Sequence, residues 1–499
     1  MELFSDLALG VSTALSPFNL LYCFIGVLLG TAIGVLPGLG PVATIAMLLP
    51  LTFGLDPVSA LIMLAGIYYG AQYGGSTTAI LINLPGESSS VVTAIDGYQM
   101  AKKGRAGAAL ATAALGSFFA GTVATILLAL AAPPLAAVAL KFGPTEYFSL
   151  MVLGLVASVA LASGSLLKAF IMIVLGLLLG LVGTDIESGA QRFTFDTPEL
   201  MDGMNFVALS MGVFGLGEIL RNLEHEQTRS VMVKRVSGLM LSKEEFKRII
   251  GPVLRGTTIG SVLGILPGGG AMLSSFAAYA LEKKSSPNKA EFGQGAIEGV
   301  AAPEAANNAG AQTSFIPMLT LGIPSNSVMA LMIGAMIIQG ITPGPNVITD
   351  EPTLFWGMIV SMWIGNLMLV LLNLPLIGLW VRMLTIPYHL LFPAIIAFCC
   401  IGAYSVNNST FDVFIMATFG LIGYGLIKLD FEPAPLLLGF ILGPMLEENL
   451  RRAMLLSRGD PTVFVTHPIS LVMLLVAVIM LAVIVLPSIR AKREEAFSE

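Results

Sequence analysis

The chain has 499 residues, of which 56% are hydrophobic and 11% charged, and its mean hydropathy is +0.87. This composition excludes an ordinary soluble protein, in which about a quarter of the residues are charged, and a disordered chain, which carries far less apolar surface. The net charge of −6 says little about partners, because in a membrane protein the positions of Lys and Arg matter more than their sum. We therefore expect an all-α polytopic membrane protein.

Apolar segments follow one another along nearly the whole chain and leave no room for a large soluble domain. They fall near residues 18–36, 41–55, 58–82, 106–140, 145–161, 166–183, 203–222, 251–281, 313–340, 353–378, 388–404, 411–428, 433–446 and 468–487. Several are shorter than the roughly 20 residues that a spanning helix needs. Their Gly and Pro residues predict re-entrant hairpins and broken helices, which are stable at membrane depth only where protein or a water-filled cavity surrounds them.

The N-terminus, the cysteines and the histidines point neither to processing nor to a transition metal. No basic region precedes the first apolar run, so the first segment is predicted to remain as a membrane helix rather than to be a cleaved signal peptide. The three cysteines lie in apolar surroundings and predict no disulfide framework. His225, His389 and His467 are far apart in sequence, which argues against a zinc or iron site.

One segment is predicted to be aqueous. Eight of the 25 basic residues lie between Arg221 and Arg255, and the positive-inside rule places this segment in the cytoplasm. Within it, Ser242 and Glu245 have the spacing of a capping box, which predicts the start of a short helix. The predicted organisation is a first membrane repeat at 1–222, a cytoplasmic linker at 223–255, and a second membrane repeat with C-terminal helices and a short cytoplasmic tail at 256–499.

The two halves repeat each other. Residues 30–40 match residues 260–270 at a constant offset of 230, with every Gly and the Pro of the first copy in register. Further along, residues 82–88 are echoed by residues 321–327 at an offset of 239. Two Pro/Gly breaks per half, in the same order, predict an internally duplicated transporter.

The distribution of charge predicts that these repeats are inverted. No Lys or Arg precedes the first repeat, whereas the basic linker precedes the second. Beyond its second break the first repeat reaches Lys102, Lys103 and Arg105, but the second repeat has no basic residue between Lys289 and Arg382. Equivalent positions are therefore expected on opposite faces of the membrane, with the N-terminus outside and the C-terminal tail inside.

The breaks carry the candidate chemistry. A Pro in an apolar helix removes a backbone donor, and a neighbouring Gly lets the chain reverse. The freed carbonyls can coordinate a cation, and the amides at the new helix N-termini can hold an anion. Polar residues gather at 74–78 and 83–90 in the first half and at 303–314 in the second, where helical spacing places Glu304, Asn308 and Gln312 on one stripe.

Simpler structural explanations stay open for these polar residues. Any single serine at 88–90 is more simply explained by a bond to the preceding turn. Glu87 and Asp96 could equally lie in an aqueous loop and pair with Lys102 or Arg105, because acids buried in membranes are rare. For the cluster around Glu304, the alternative is hydrogen bonding between helices.

At this point the residues resemble a known family. The motifs at 34–40, 83–87 with 96–98, 303–308 and 321–324 are similar to those of the large membrane subunit of tripartite tricarboxylate transporters, TctA, and the resemblance covers essentially the whole chain. It implies a bacterial inner-membrane, elevator-type secondary transporter, related to the TRAP dicarboxylate transporters, that imports carboxylates with an ion, commonly sodium. It also implies two partners, a small membrane subunit of four-helix type and a periplasmic substrate-binding protein. Ser325 follows Pro324 where the family pattern leads us to expect Gly.

We expect the segments 37–40 and 267–270 to face each other across the pseudo-two-fold axis and the later breaks to complete the sites. The candidate substrate ligands are Pro37, Gly38, Gly40, Asn83, Pro85, Gly86, Ser88, Ser89, Pro267, Gly268, Gly270, Asn307, Asn308, Pro324, Ser325 and Asn326. The candidate ion ligands are Ser76, Thr77, Thr78, Asn83, Glu304, Asn308, Thr313 and Ser314.

The sequence favours a transporter over an enzyme. It has no Gly-x4-Gly-Lys-Ser/Thr phosphate loop and no Gly-x-Ser-x-Gly nucleophile motif. No cofactor is expected apart from sodium as the coupling ion, and no nucleic acid partner. The rival hypothesis is a channel, or a carrier for another small organic anion, that works without a binding protein.

Overall fold

The computed structural model describes residues 2–36, 39–161, 165–185, 187–224, 236, 238–266, 270–384 and 388–485. Four predicted site residues, Pro37, Gly38, Pro267 and Gly268, lie outside this set, as does the basic C-terminal tail. Apart from one pair of two-residue strands, the regular structure of the described residues is helical, which confirms the prediction of an all-α membrane protein.

The first part of the chain forms ten α-helices. They are α1 (Glu2–Ala14), α2 (Pro17–Gly34), α3 (Pro41–Leu48), α4 (Pro57–Ile82), α5 (Val91–Lys102), α6 (Ala106–Ala139), α7 (Pro144–Leu161), α8 (Leu166–Gly180), α9 (Phe206–Ser210) and α10 (Gly217–Glu224). Short 3-10 turns occupy Leu49–Thr52, Ser88–Ser90 and Pro198–Leu200, and a π-helical turn at Met211–Leu216 joins α9 to α10. The strands β1 (Gly183–Thr184) and β2 (Gln191–Arg192) pair antiparallel.

The second part begins within the basic linker. It forms α11 (Lys243–Ile265), α12 (Gly270–Ser285), α13 (Glu298–Thr313), α14 (Phe315–Leu321), α15 (Ser327–Ile338), α16 (Val347–Asp350), α17 (Pro352–Asn373), α18 (Ile377–Met383), α19 (Tyr388–Asn407), α20 (Thr410–Lys428), α21 (Ala434–Leu456), α22 (Val463–Thr466) and α23 (Pro468–Val485). A further 3-10 turn lies at Lys289–Glu291.

Five helical segments of the described chain are long and apolar enough to cross a bilayer. They are Pro17–Gly34, Ala106–Ala139, Phe206–Glu224, Pro352–Asn373 and Thr410–Lys428. Other apolar helices are too short for this, since α3 has 8 residues, α15 has 12 and α8 has 15. The chain thus combines spanning helices with short apolar ones, as the Gly and Pro breaks predicted.

Glycine stripes bring two pairs of helices into backbone contact. On α2 a side chain at Gly26, Gly30 or Gly34 would collide with the carbonyl oxygens of Met63, Ile67 and Ala71 on α4. On α11 the same would happen at Gly256, Gly260 and Gly264, against Ala302, Ala306 and Gly310 on α13. The glycines differ by 230 in number and their partners by 239, the two offsets of the sequence repeat. Small residues allow such close approach where apolar burial cannot drive association.

Equivalent elements of the two halves pack across the molecule in matching pairs. Helix α6 packs on α13, and α17 packs on α4. Likewise, α12 packs against the turn Ser88–Ser90, and α3 packs against α15. The long run of small residues that opens α6 is buried from Ala106 to Ala114.

Helix α11 begins where the capping box predicted. Ser242 Oγ accepts from Glu245 N at 3.2 Å, and Glu245 Oε2 accepts from Ser242 N at 2.8 Å. The expectation of a short helix is wrong, because no breaker stops the chain before Ile265 and Pro252 is accommodated inside a helix of 23 residues. The predicted boundary at residue 255 therefore falls within α11.

Candidate functional site

A cavity of about 170 Å³ lies where several helix N-termini meet. Helices α3, α12, α15 and α21, together with the turn Ser88–Ser90 that precedes α5, each line it with residues of their first turn. We call this space the helix-terminus cavity. Each helix N-terminus carries about half a positive charge, and its first N–H groups lack helical acceptors. The arrangement is therefore suited to an anion.

Equivalent positions of the two halves line the helix-terminus cavity. Gly40 is the N-cap of α3, next to the lining Pro41, and Gly270 opens α12. Glu87 and Asn326 are the N-caps of the turn Ser88–Ser90 and of α15, with extended φ values of −144° and −155°. Described residues from both breaks of each half therefore lie at or next to this cavity.

The described lining of this cavity contains no Lys, Arg or His. It does contain two carboxylates, Glu87 and Glu432. The positive potential that attracts an anion must therefore come from the helix termini and their N–H groups. When ionised, the two carboxylates repel an anion unless a proton or a cation binds with it.

Glu87 is buried and bonded to other side chains of the fold. Its Oε1 accepts from Ser89 Oγ at 2.5 Å and from Asn307 Nδ2 at 3.2 Å. The alternative that Glu87 lies in an aqueous loop and pairs with Lys102 or Arg105 is wrong. The Asn307 contact joins residues 220 positions apart and links the first-half break to α13.

Asp96 is fully buried, and the same aqueous alternative is wrong for it. Its Oδ1 accepts from the backbone N–H groups of Gly293, Gly295 and Ala296 at 2.8 to 2.9 Å. Its Oδ2 accepts from the Tyr279 hydroxyl at 2.9 Å. Asp96 thus ties α5 of the first half to α12 and to the loop before α13.

Two buried amide side chains, one in the lining of the helix-terminus cavity and one bonded to Glu87, have unused hydrogen-bonding capacity. Gln72 lines it and is 1% exposed, yet neither its nitrogen nor its oxygen has a hydrogen-bond partner among the described residues. The Tyr68 hydroxyl lies close to Gln72 but does not meet hydrogen-bond geometry with either atom of the amide. Asn307, which contacts Glu87, leaves its Oδ1 unpartnered. Because unpaired buried polar atoms are costly, such groups favour the binding of a ligand or of water beside them.

Sequence reasoning missed two contributors to this cavity. The first is Gln72, a single polar residue in a long apolar run, with no pattern to mark it. The second is the N-terminus of α21, which lines the cavity through Ala434 and Pro435. A signal existed there, because Pro433 and Pro435 directly precede an apolar run, and Pro is favoured in the first turn of a helix.

A second cavity, of about 20 Å³, lies beside Glu304. We call it the Glu304 cavity. Its polar lining residues are Tyr73, Ser76, Thr77, Glu304 and Asn373. Glu304 is 1% exposed, and Ser76 Oγ lies 2.8 and 3.0 Å from its two carboxylate oxygens. Thr93 Oγ1 donates to Oε1 at 2.5 Å. Side chains from α4, α5 and α13 therefore meet at one carboxylate.

Asn308 acts on this carboxylate through Ser117. Its Nδ2 donates to Ser117 Oγ at 2.7 Å, and Ser117 Oγ donates to Glu304 Oε2 at 3.4 Å. Since Ser117 accepts from Asn308, its own proton is free to point at Glu304. This confirms that hydrogen bonds between helices, the alternative weighed for the cluster, are present.

Comparison with known proteins agrees with the motifs. Residues 20–438 match the model of the tripartite tricarboxylate transporter TctA family. The chain belongs to this family. It is 67% identical over 499 residues to a protein of Agrobacterium vitis described as an uncharacterized 52.8 kDa protein in the TAR-I ttuC' 3' region, with 100% of this chain and 99% of the relative covered.

A second Agrobacterium vitis protein, described as an uncharacterized protein in the TAR-II ttuC' 3' region, is 65% identical over 240 residues. The alignment covers 48% of this chain and 99% of that relative. No solved structure matches the chain. The TctA family is the large subunit of a tripartite transport system, so the chain is a membrane transporter subunit with partner subunits.

In this TctA chain, the predicted substrate ligands lie at two different places. Ser88, Ser89, Gly270 and Asn326 line the helix-terminus cavity, and Asn307 reaches it through Glu87. Asn308 lies instead at the Glu304 cluster.

The remaining break residues shape the backbone of this TctA chain. Asn83 is exposed and ends α4, and Pro85 follows it. Gly86 is buried against Gly75, and Pro324 lies buried beside Ser325, whose Oγ donates to Ser314 O.

The predicted ion ligands of the TctA chain also fall into two groups, one at the Glu304 cavity and one away from it. Ser76, Thr77 and Glu304 line the Glu304 cavity. Thr78 Oγ1 donates to Val35 O at 2.8 Å, while Thr313 and Ser314 donate to carbonyls of their own helix and of α11. These three hydroxyls join helices within each half.

Proposed function

We propose that this chain is the translocating subunit of an ion-coupled secondary transporter that imports tricarboxylates or related, citrate-like carboxylates across the bacterial inner membrane. It receives substrate from a periplasmic binding protein and works with a small membrane subunit. The observation that carries this proposal is the convergence of five helix N-termini on one cavity without a basic side chain in its described lining. Such a site binds carboxylates through backbone amides and small polar groups.

The acidic residues of the cavity support ion coupling. Two acidic residues, Glu87 and Glu432, line a site that is to receive an anion. A substrate anion that enters with a cation or a proton avoids repulsion from them when they are ionised. Sodium is the coupling ion we propose.

Contacts between the halves support the inverted, multi-pass repeat of the transporter, for which we propose an elevator-type movement. Lys103 Nζ, after the end of α5, donates to Gln294 O at 2.5 Å, and Gln339 Nε2, after the end of α15, donates to Thr52 O at 3.0 Å. The end of each later helix thus contacts the hairpin region of the other half. The ion pair of Arg105 with Glu245, at 2.7 Å, puts the first-half basic loop beside the start of α11, as expected if both are cytoplasmic.

The test of the substrate site adds one negative charge at a helix cap. In Asn326→Asp the cap is kept, because Asp accepts from Met329 N as Asn does, but the cavity gains a charge that repels an anion. Uptake should fall at least about tenfold, since one unfavourable charge interaction of about 1.4 kcal/mol already produces that factor. The matched control is Ser242→Asp, which replaces the N-cap of α11 outside the cavity.

The measurement is uptake of radiolabelled citrate into proteoliposomes that hold both membrane subunits, with the binding protein present. Saturable uptake that needs the binding protein and an ion gradient, and that is lost in Asn326→Asp but kept in Ser242→Asp, supports the proposal. Unsaturated flux that needs no binding protein would identify a channel. Equal uptake in both variants would remove the helix-terminus cavity as the substrate site.

A further inference from the structure

We propose that the Glu304 cavity is a sodium site that is separate from the helix-terminus cavity and coupled to it through α4 and α13. The inference deepens the proposed function, because it assigns the coupling ion to a place. It rests on the geometry around Glu304, on the unpartnered oxygen of Asn373 and on the positions of the two cavities along the same helices.

The hydrogen bonds around Glu304 fit an ionised carboxylate. An ionised carboxylate only accepts, and three hydroxyls, from Ser76, Thr93 and Ser117, lie within 2.5 to 3.4 Å of its oxygens. None of the ion pairs among the described residues includes Glu304. A buried carboxylate without a positive partner is costly, so a small cation beside it would stabilise the fold.

A second observation points to a ligand at this place. Asn373, at the end of α17, is 4% exposed and lines the Glu304 cavity. Its Nδ2 donates to Leu369 O at 2.9 Å, but its Oδ1 has no hydrogen-bond partner among the described residues. A buried amide oxygen is a ligand that hard cations prefer.

The chemistry of the lining favours sodium among the cations. The polar groups are a carboxylate, hydroxyls and an amide oxygen, all hard donors, and no sulfur or imidazole lines the described part of the cavity. One carboxylate balances one positive charge, whereas calcium sites commonly gather several carboxylates. The volume of about 20 Å³ admits one particle of the size of a water molecule.

The two cavities share their walls. On α4, Gln72 lines the helix-terminus cavity and Ser76, one helical turn later, lines the Glu304 cavity. On α13, Glu304 and Asn307 are three residues apart, and Asn307 bonds Glu87 at the helix-terminus cavity. A cation that draws Ser76 and Glu304 together therefore fixes the relative positions of Gln72 and Asn307. Differential binding of this kind is what couples two sites.

The test uses sodium alone as the probe. The unfolding temperature of the full chain in detergent is measured while NaCl replaces choline chloride at constant ionic strength. For the native protein a saturable rise is expected, because a ligand that binds only the folded state raises stability with concentration. Glu304→Gln should abolish the rise, and Asn373→Ala and Ser76→Ala should each raise the apparent Kd for sodium by about tenfold, the loss of one ligand.

One matched variant acts as the control. Thr78→Val removes a buried α4 hydroxyl that bonds Val35 O outside both cavities, and it should keep the sodium-dependent rise. If Glu304→Gln fails to fold, the Asn373 and Ser76 variants still decide the assignment.

Several results would overturn the sodium site. One is a native protein with no sodium-specific rise in unfolding temperature, and another is a rise of native size and affinity in Asn373→Ala and Ser76→Ala. A third is uptake in sodium-free medium that is driven by a pH gradient and abolished by Glu304→Gln. The last result would make Glu304 a proton carrier. If the sodium response is lost in Glu304→Gln while Asn326→Asp still transports, the sodium site stands and only the substrate site is wrong.

Discussion

Asn83 and Gly322 lie 239 positions apart, and both end a buried helix in the left-handed conformation, with φ of 59° and 70°. A proline follows each of them two residues later, at Pro85 and Pro324. Gly adopts this conformation freely and Asn tolerates it better than most residues. The two residues thus perform one task in the two halves, namely to stop a helix and turn the chain into the second break.

This relationship predicts how Asn83 responds to substitution. Asn83→Gly should keep stability and uptake, because Gly fits the positive φ. Asn83→Val should lower the free energy of unfolding by about 1–2 kcal/mol, the cost of a left-handed conformation for a residue with a branched Cβ. Thermal unfolding of both variants in detergent checks this. Equal loss in the two variants would show that the Asn83 side chain itself is needed.

The glycine stripes predict equal effects in the two halves. Gly30→Ala and Gly260→Ala each place a methyl group against a backbone carbonyl of the facing helix, and overpacking of this kind costs on the order of 1–3 kcal/mol. Gly425→Ala is the matched control, because Gly425 lies within α20 and has no atom near the position of an added Cβ. Unfolding temperatures of the three variants provide the measurement. A control as unstable as the other two would contradict the packing explanation.

Asp96 predicts a large loss of stability from one carboxylate. Asp96→Ala leaves three backbone N–H groups and the Tyr279 hydroxyl without their acceptor, which should cost roughly 3 kcal/mol or more because each unpaired buried donor is expensive. Tyr279→Phe removes only one of the four bonds and should cost about 1 kcal/mol. A ranking in which Tyr279→Phe is the more harmful variant would contradict this explanation. Chemical denaturation of the purified chain gives the ranking.

The strand pair of β1 and β2 predicts a pH dependence. The Ser188 hydroxyl, together with the guanidinium groups of Arg451 and Arg192, holds the pKa of Asp185 well below its ordinary value. A carboxyl with a lowered pKa in the folded state stabilises the fold above its unfolded pKa of about 3.9. That contribution is lost as the pH falls below this value and through the lower folded pKa.

The variant Asp185→Asn should therefore unfold at a lower temperature than the native protein at pH 7. The difference should shrink as the pH falls below about 4, where the Asp185 carboxyl of the unfolded chain binds a proton while the folded one is still charged. Asp202→Asn, at an exposed position after the strand pair, is the control and should follow the native curve. A constant difference at all pH values would show that Asp185 acts through packing rather than charge.

The sequence predicted most of what depends on local rules. The capping box at Ser242 marks the start of α11, and the Pro/Gly breaks mark the segments that line the helix-terminus cavity, because both signals depend on neighbouring residues. The sequence does not predict the end of α11. Its basic residues favour an aqueous linker, but the apolar residues that follow continue the same helix to Ile265.

Contacts between distant residues could not be predicted in this way. The bond of Asn307 to Glu87 and the bonds of Asp96 to the loop at 293–296 join parts of the chain about 200 positions apart. In the sequence alone, Glu87 and Asp96 lie near the basic residues Lys102 and Arg105, so an ion pair is the simplest expectation. Gln72 was missed for the same reason, because its importance comes from the cavity that other helices build around it.

The backbone contact between α2 and α4, and between α11 and α13, has a mechanical consequence. Where glycines meet carbonyls, there are no long side chains whose rotamers can change to let one helix slide past the other. Each pair of helices should therefore be stiff and move as a rigid body. Any displacement that carries a substrate must then shear along other surfaces of the fold, such as those covered by longer and more adaptable side chains.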